Sequence, residues 1–127
     1  MCIFCKIIKG EIPSKKIYED DDVLAILDIS QETRGHTLVL PKRHFDNILE
    51  IDSEYLSTIM PKVQMVAKLV TSKLHAEGFN LVVNTGEVAG QTVMHLHFHI
   101  IPRYVQETIK ADTSEEGLEK VRQEIVA

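Results

Sequence analysis

The chain has 127 residues, 44% of them hydrophobic and 26% charged, with a formal net charge of -5. This is the make-up of a soluble globular protein long enough to bury a core without disulfides, and the length predicts a single domain over 1–127. The acidic balance gives a polyanion no general attraction and no apolar run approaches the ~20 residues of a membrane span, so neither nucleic acid nor membrane is expected as a partner.

The N-terminal MCIFCKIIKG lacks the basic region and long apolar stretch of a secretory signal, so an intact cytoplasmic protein is expected. Cys2 and Cys5 are the only cysteines. A disulfide between them would close a very small loop and would not persist in a reducing compartment. Three readings stay open on the residues alone: a redox pair, half of a zinc site, or two inert thiols. A redox Cys-x-x-Cys normally opens a helix that follows a strand, and only Met1 precedes Cys2.

Residues 3–9 suit a short helix, ended by Gly10 and the Pro13 region. Segments 16–19 and 23–27 read as a hairpin around Asp20, Asp21 and Asp22, a solvated acidic turn. Gly35 introduces a third strand over 36–40, stopped by Pro41. Asp52 is an N-cap candidate for a long helix in which Leu56, Ile59, Met60, Val63, Val66, Ala67, Val70 and Leu74 recur at helical spacing, closing at Gly78. Pro61 inside that pattern predicts a kink or a restart. His75, near the helix end, reads as a surface residue. Residues 80–85 predict a fourth strand, the loop GEVAGQ follows, and 96–102 predict a fifth. Thr113 and Glu116 have capping-box spacing ahead of Leu118, Val121 and Ile125, so the charged tail 104–127 is read as helical. Strands outnumber helices and short turns join them, which is the pattern of an antiparallel α+β domain.

The segment MHLHFHI, 94–100, alternates histidine with apolar residues. In a strand, His95, His97 and His99 line one face while Met94, Leu96, Phe98 and Ile100 line the other; in a helix they scatter. Such a row can bind a metal, serve nucleophilic or acid–base chemistry, or simply be polar residues facing water. The apolar residues in every gap argue against the last. Just ahead lies GEVAGQT, where Gly86 and Gly90 permit close backbone approach and Gln91 and Thr92 add donors, a composition suited to a phosphate oxyanion. It lacks the GKS or GKT ending of a Walker loop.

His95-Leu96-His97-Phe98-His99-Ile100-Ile101 matches the pattern His-φ-His-φ-His-φ-φ, φ being apolar, and the chain resembles the histidine triad (HIT) superfamily. The likeness runs through IFCKIIKGEIPSKKIYEDDDVLAILDIS, GHTLVLPKRHFDNI and NLVVNTGEVAGQTVMHLHFHIIPR, giving a motif-bearing core of about 3–103, and weakens beyond Arg103. The resemblance implies a five-stranded antiparallel half-barrel with a long central helix and short terminal helices, usually a homodimer whose sheet continues across the interface. It implies a nucleotide-binding hydrolase or transferase that cleaves the α-phosphate linkage of purine nucleoside phosphoramidates or dinucleoside polyphosphates through a nucleotidyl-histidine, with no cofactor needed for catalysis.

On the matching positions His97 is the nucleophile, its Nδ1–H given to a backbone carbonyl, and His99 contacts the phosphate or assists the leaving group. Gln91 and Thr92 lie near phosphate oxygens, Asn84 near phosphate and ribose, and Asp28 accepts from the ribose hydroxyls. Phe4, Ile7, Ile26 and Ile29 make the base pocket, and His36 stands behind the triad. Some bacterial HIT-like proteins with an N-terminal Cys-x-x-Cys carry zinc, and the resemblance implies ligands at Cys2, Cys5, His44 and His95, a closed structural set. The absence of tryptophan departs from the phosphoramidase-like branch, so that branch's substrate preference does not transfer. The competing function is a nucleotide- or zinc-binding interaction module with incidental turnover; a binder needs no nucleophile, which favours the enzyme.

Overall fold

The computed structural model describes residues 2–106 and 111–127. It contains strands β1 (Lys16–Glu19), β2 (Val23–Leu27), β3 (Thr37–Pro41), β4 (Gly78–Val82) and β5 (Phe98–Arg103), with helices α1 (Ile3–Ile8), α2 (Ser53–Leu74) and α3 (Glu115–Val126). The strands form one antiparallel sheet in the order β1-β2-β3-β5-β4, the α+β architecture expected from the sequence.

Alternation along β2 and β3 explains the layering. Val23, Ala25, Leu27 and Val39 point to the side covered by α2 and α3, where they pack with Val63, Val66, Val70, Leu118, Val121 and Ile125. Leu24, Ile26, Leu38 and Leu40 point to the opposite side, where they pack with Phe4 and Ile7 of α1. Both faces of the central strands are therefore buried, and the functional residues sit where α1 leaves the second face partly open.

Asp52 caps α2 as expected, its Oδ2 accepting from Tyr55 N–H at 2.9 Å. Pro61 does not restart the helix, which is continuous over Ser53–Leu74. A proline in a helix interior costs about 3 kcal/mol, whereas burying Ile59, Val63, Val66, Val70 and Leu74 is worth about 1.5–3 kcal/mol each. His75 ends α2 in the left-handed conformation at φ 57°, so the strand that follows begins at Gly78, earlier than the expected 80. In the tail, Ser114 rather than Thr113 is the N-cap, accepting from Gly117 N–H at 3.0 Å. Residues 107–110 of the expected helical tail lie outside the described residues. The acidic turn is structural: Asp20 and Asp22 both hold Lys62 of α2.

Gly35 leads into β3 at φ +91°, and a Cβ there would lie 2.4 Å from Leu74 Cδ1 and 3.3 Å from Pro102 Cγ. Gly35→Ala therefore combines an unfavourable backbone region with overpacking and should destabilise the protein by about 2–4 kcal/mol in urea unfolding. A loss below 1 kcal/mol would show that α2 is not wedged this tightly against the start of β3.

Candidate active site and metal cluster

The histidine row straddles the start of β5. Pairing with β3 begins at Phe98, two residues later than the expected strand start, because Leu96 N–H donates to Phe45 O at 2.7 Å instead of joining the sheet. His95 and His97 are nevertheless only 0% and 7% exposed. Phe4 of α1 covers them edge-on, with ring centroids 6.0 Å from His95 and 5.0 Å from His97. The imidazole side is thus a partly roofed site and not a solvated face.

Hydrogen bonds determine which ring nitrogen carries each proton. His97 Nδ1–H donates to His95 O at 2.7 Å, which leaves the lone pair on Nε2. His36 Nδ1 accepts from Glu32 N–H at 3.2 Å, so its proton is on Nε2, and that N–H donates to His99 Nδ1 at 3.0 Å. His99 is then left with an outward Nε2–H. The site consequently offers one bare nitrogen, on His97, and one N–H donor, on His99, with ring centroids 4.9 Å apart. Burial keeps these rings neutral: it lowers His97, lowers His36 against the pull of Asp28 and Glu32, and lowers His99 to about 4 with help from His97 and His36.

A second cluster joins α1 to the other end of the row. The six distances among Cys2 Sγ, Cys5 Sγ, His44 Nδ1 and His95 Nδ1 run from 3.1 to 3.6 Å. Tetrahedral bonds of about 2.3 Å to sulfur and 2.0–2.1 Å to nitrogen would give edges of about 3.3–3.8 Å. The second nitrogens explain the convergence. His95 Nε2–H donates to Pro41 O at 2.9 Å and His44 Nε2–H donates to Asp46 Oδ1 at 2.8 Å, so two Nδ1 lone pairs face each other and two sulfurs. Two thiol protons or one cation would satisfy that centre, and the donor set suits a thiophilic divalent metal. The same hydrogen bond to Asp46 raises His44 above its ordinary value. Asp28, His36 and His99 also lie close enough to hold an ion, but there the His36 proton already occupies the space between the two rings.

The HIT domain model matches residues 9–106. The chain belongs to the HIT family. It is 40% identical over 113 residues to an adenylylsulfatase of Arabidopsis thaliana, covering 89% of this chain and 57% of that one. It is 42% identical over 106 residues to an adenosine 5'-monophosphoramidase of Candida albicans, covering 80% of this chain and 70% of that one. A crystal structure of a zinc-bound histidine triad protein from Mycobacterium smegmatis superposes with a TM-score of 0.87 at 36% identity, covering 98% of this chain and 90% of that one. The HIT relatives thus include nucleotide hydrolases.

Within this HIT fold the remaining expected site residues are placed unevenly. Phe4, Ile7 and Ile26 pack together, whereas Ile29 is 77% exposed and lies outside that cluster. Asp28 Oδ1 accepts from Ser30 N–H and Oγ–H, which closes the turn after β2, while Oδ2 lies 3.6 Å from His36 Nε2. Asn84 and His99 border one polar cavity, and Thr92 is exposed. Gln91 is 1% exposed, and its amide is engaged by backbone groups: Nε2–H donates to Asp46 O and Val93 O, and Oε1 accepts from Gly86 N–H. Three partners escaped the sequence reading: Asp46, the Glu32 amide and the Pro41 carbonyl. Only Asp46, two residues after His44, leaves any trace in the sequence.

Neutral, buried imidazoles carry a sign. The unfolded chain binds their protons near pH 6.5, the folded chain only at lower pH, so the unfolded state holds more protons in between. Stability should fall as pH drops from about 6.5 and level off once His99 protonates near pH 4. Imidazole resonances followed by NMR should show His99 titrating near pH 4. A midpoint at or above the ordinary value would remove the neutral-imidazole account.

Proposed function

We propose that the protein is a nucleotidyl hydrolase that cleaves the α-phosphate linkage of purine nucleoside phosphoramidates or dinucleoside polyphosphates through covalent attachment to His97. The observation that carries this reading is the bare Nε2 of His97, held by the 2.7 Å bond of its Nδ1–H to His95 O, beside the outward N–H of His99. Both relatives named above carry an adenosine nucleotide in their names, which supports a purine substrate.

In the first step His97 Nε2 attacks the α-phosphorus and the bond to the leaving nitrogen or oxygen breaks, its electron pair going to the leaving atom. A leaving amine takes up one proton from solvent. His99 Nε2–H donates to a phosphoryl oxygen and offsets charge as the bonds exchange. Water then attacks the nucleotidyl-histidine, releases the nucleotide and returns one proton. Each step is easier than direct displacement by water because a neutral imidazole is both a good nucleophile and a good leaving group. Phe4, Ile7 and Ile26 offer the base an apolar wall, and Asp28 Oδ2 is free to accept from ribose hydroxyls. The homodimer implied by the family would bring a second copy to the open edge of β4, where Phe79 and Leu81 are exposed.

Incubation with adenosine 5'-phosphoramidate tests the reading directly. The native protein should hydrolyse it and yield a trappable nucleotide on residue 97, and His97→Ala should lose about a thousandfold or more in kcat/KM with no adduct. Equal rates for the two proteins would leave the interaction module as the surviving function.

For the cluster we propose a structural zinc held by Cys2, Cys5, His44 and His95. A bound zinc there has no open position, so it contributes folding energy and rigidity and leaves the chemistry to His97 and His99. Cys2→Ser and Cys5→Ser should abolish the zinc content of the purified protein. Asp46→Asn, which removes no ligand, should weaken zinc by about tenfold to a hundredfold in chelator competition. Zinc retained at full content in both cysteine variants would eliminate the site.

A further inference from the structure

The cavity that His99 borders has a volume of about 330 Å³, and its wall continues past Asn84 and His36 to Asn80, Glu32 and Arg103. His97 does not line this cavity, so on the proposed reaction the phosphoryl group would meet it only at the end bordered by His99. We propose that the far end is a leaving-group subsite in which Arg103 selects leaving groups that carry a negative charge, a proposal that rests on the nucleotidyl-His97 reading.

Strand geometry places the charge. His99, Ile101 and Arg103 alternate onto one face of β5, paired with Val82, Asn80 and Gly78 of β4. Arg103 Nε–H donates to Asn80 Oδ1 at 2.7 Å, and Asn80 stands opposite Ile101. The guanidinium is thereby drawn back to the level of residue 101, roughly 7 Å along the strand from His99. In-line displacement sends the leaving atom away from His97 Nε2, so the body of a leaving group runs into the space that His99 opens.

Among the described residues Arg103 has one weak ionic partner. Its contact with Glu32 is a single one, Nη2 to Oε1 at 3.3 Å, between side chains that are 49% and 55% exposed. A half-solvated pair of this kind is weak, and an incoming carboxylate or phosphate can take Glu32's place with better geometry. Glu32 has two separate duties: its backbone N–H fixes the His36 tautomer, while its carboxylate competes for Arg103. Changing that side chain leaves the backbone bond intact.

The test compares adenosine 5'-phosphoramidates of 4-aminobutanoate and of butylamine, leaving amines that differ by one carboxylate. In both, the His97 Nε2–P bond forms and the P–N bond breaks, with the nitrogen keeping the electron pair and taking a proton from solvent. Native protein should favour the carboxylate-bearing substrate in kcat/KM. Arg103→Gln should lower that ratio by about threefold to tenfold, and Arg103→Lys should restore most of it. Glu32→Gln should move the ratio the other way, upward, which a merely structural role for either side chain would not produce. A ratio unmoved by Arg103→Gln, or lowered by both the Arg103→Gln and Glu32→Gln substitutions, would overturn the subsite while leaving hydrolysis by His97 in place. Failure of the native protein to hydrolyse either substrate would overturn the nucleotidyl-histidine reading and the subsite with it.

Discussion

The two halves of the site meet in one residue, His95. Its Nδ1 faces the two thiols and His44, its Nε2–H is anchored to Pro41 O of β3, and its own carbonyl receives the Nδ1–H of His97. Whatever holds the His95 ring also holds the carbonyl that decides which nitrogen of His97 is bare. Movement of that carbonyl by about 1 Å would loosen the 2.7 Å bond and let the proton exchange to Nε2, and misplacements of this size are enough to cost catalysis orders of magnitude. The helix α1 is bound into the same arrangement. It has six residues, too few to persist alone, and is retained by the burial of Phe4 and Ile7 and by its two thiols. Phe4 therefore keeps its place over His97 only while the cysteine end of α1 keeps its own.

Neutrality of the rings follows from the same packing. Two charged imidazoles about 5 Å apart would repel by roughly 3 kcal/mol at an effective dielectric of 20. His97 has His99 at that distance, and His99 also has His36 at 5.2 Å. Burial is the leading cause of the lowering for all three, and the carboxylates of Asp28 and Glu32 pull His36 and His99 upward without prevailing. A neutral nucleophile needs no partner base to remove a proton before it attacks. It needs only a fixed tautomer, which a backbone carbonyl supplies more rigidly than a side chain can.

Much of this was legible in the residues. The hairpin of β1 and β2, the Asp52 cap, the glycine ahead of β3 and the interrupted histidine row each have a local cause within a few positions, so sequence spacing suffices to read them. The thiols illustrate the limit: redox pair, zinc half-site and inert pair are indistinguishable until His44 and His95 are seen to converge on them, and only the family resemblance anticipated that. The start of β5 is set by Leu96 N–H finding Phe45 O, a partner from a distant loop that no periodicity reveals. Gln91 has the right chemistry for a phosphate donor, yet its amide is taken up by part-buried backbone groups of its own loop and of Asp46, which need partners of their own. Thr113 and Ser114 are both competent caps, and the sequence contains nothing local that ranks them.

The proposed covalent route would place different demands on the two ends of the cavity. Once the nucleotide is on His97, every substrate with the same nucleotide has become the same intermediate, and the second step cannot distinguish what has left. Discrimination among leaving groups is therefore confined to the first step and to the residues that touch the departing group. At the phosphoryl end His97 is buried and locked by its bond to a backbone carbonyl, and His99 is half-buried and held by the His36 ring. Arg103 and Glu32, at the far end, are half in water and joined by one long contact. Substitutions there can retune the leaving-group preference without disturbing the ring tautomers, because the hydrogen bond that fixes the His36 tautomer comes from the Glu32 main-chain N–H, and the Glu32 carboxylate acts on the rings only as a nearby charge.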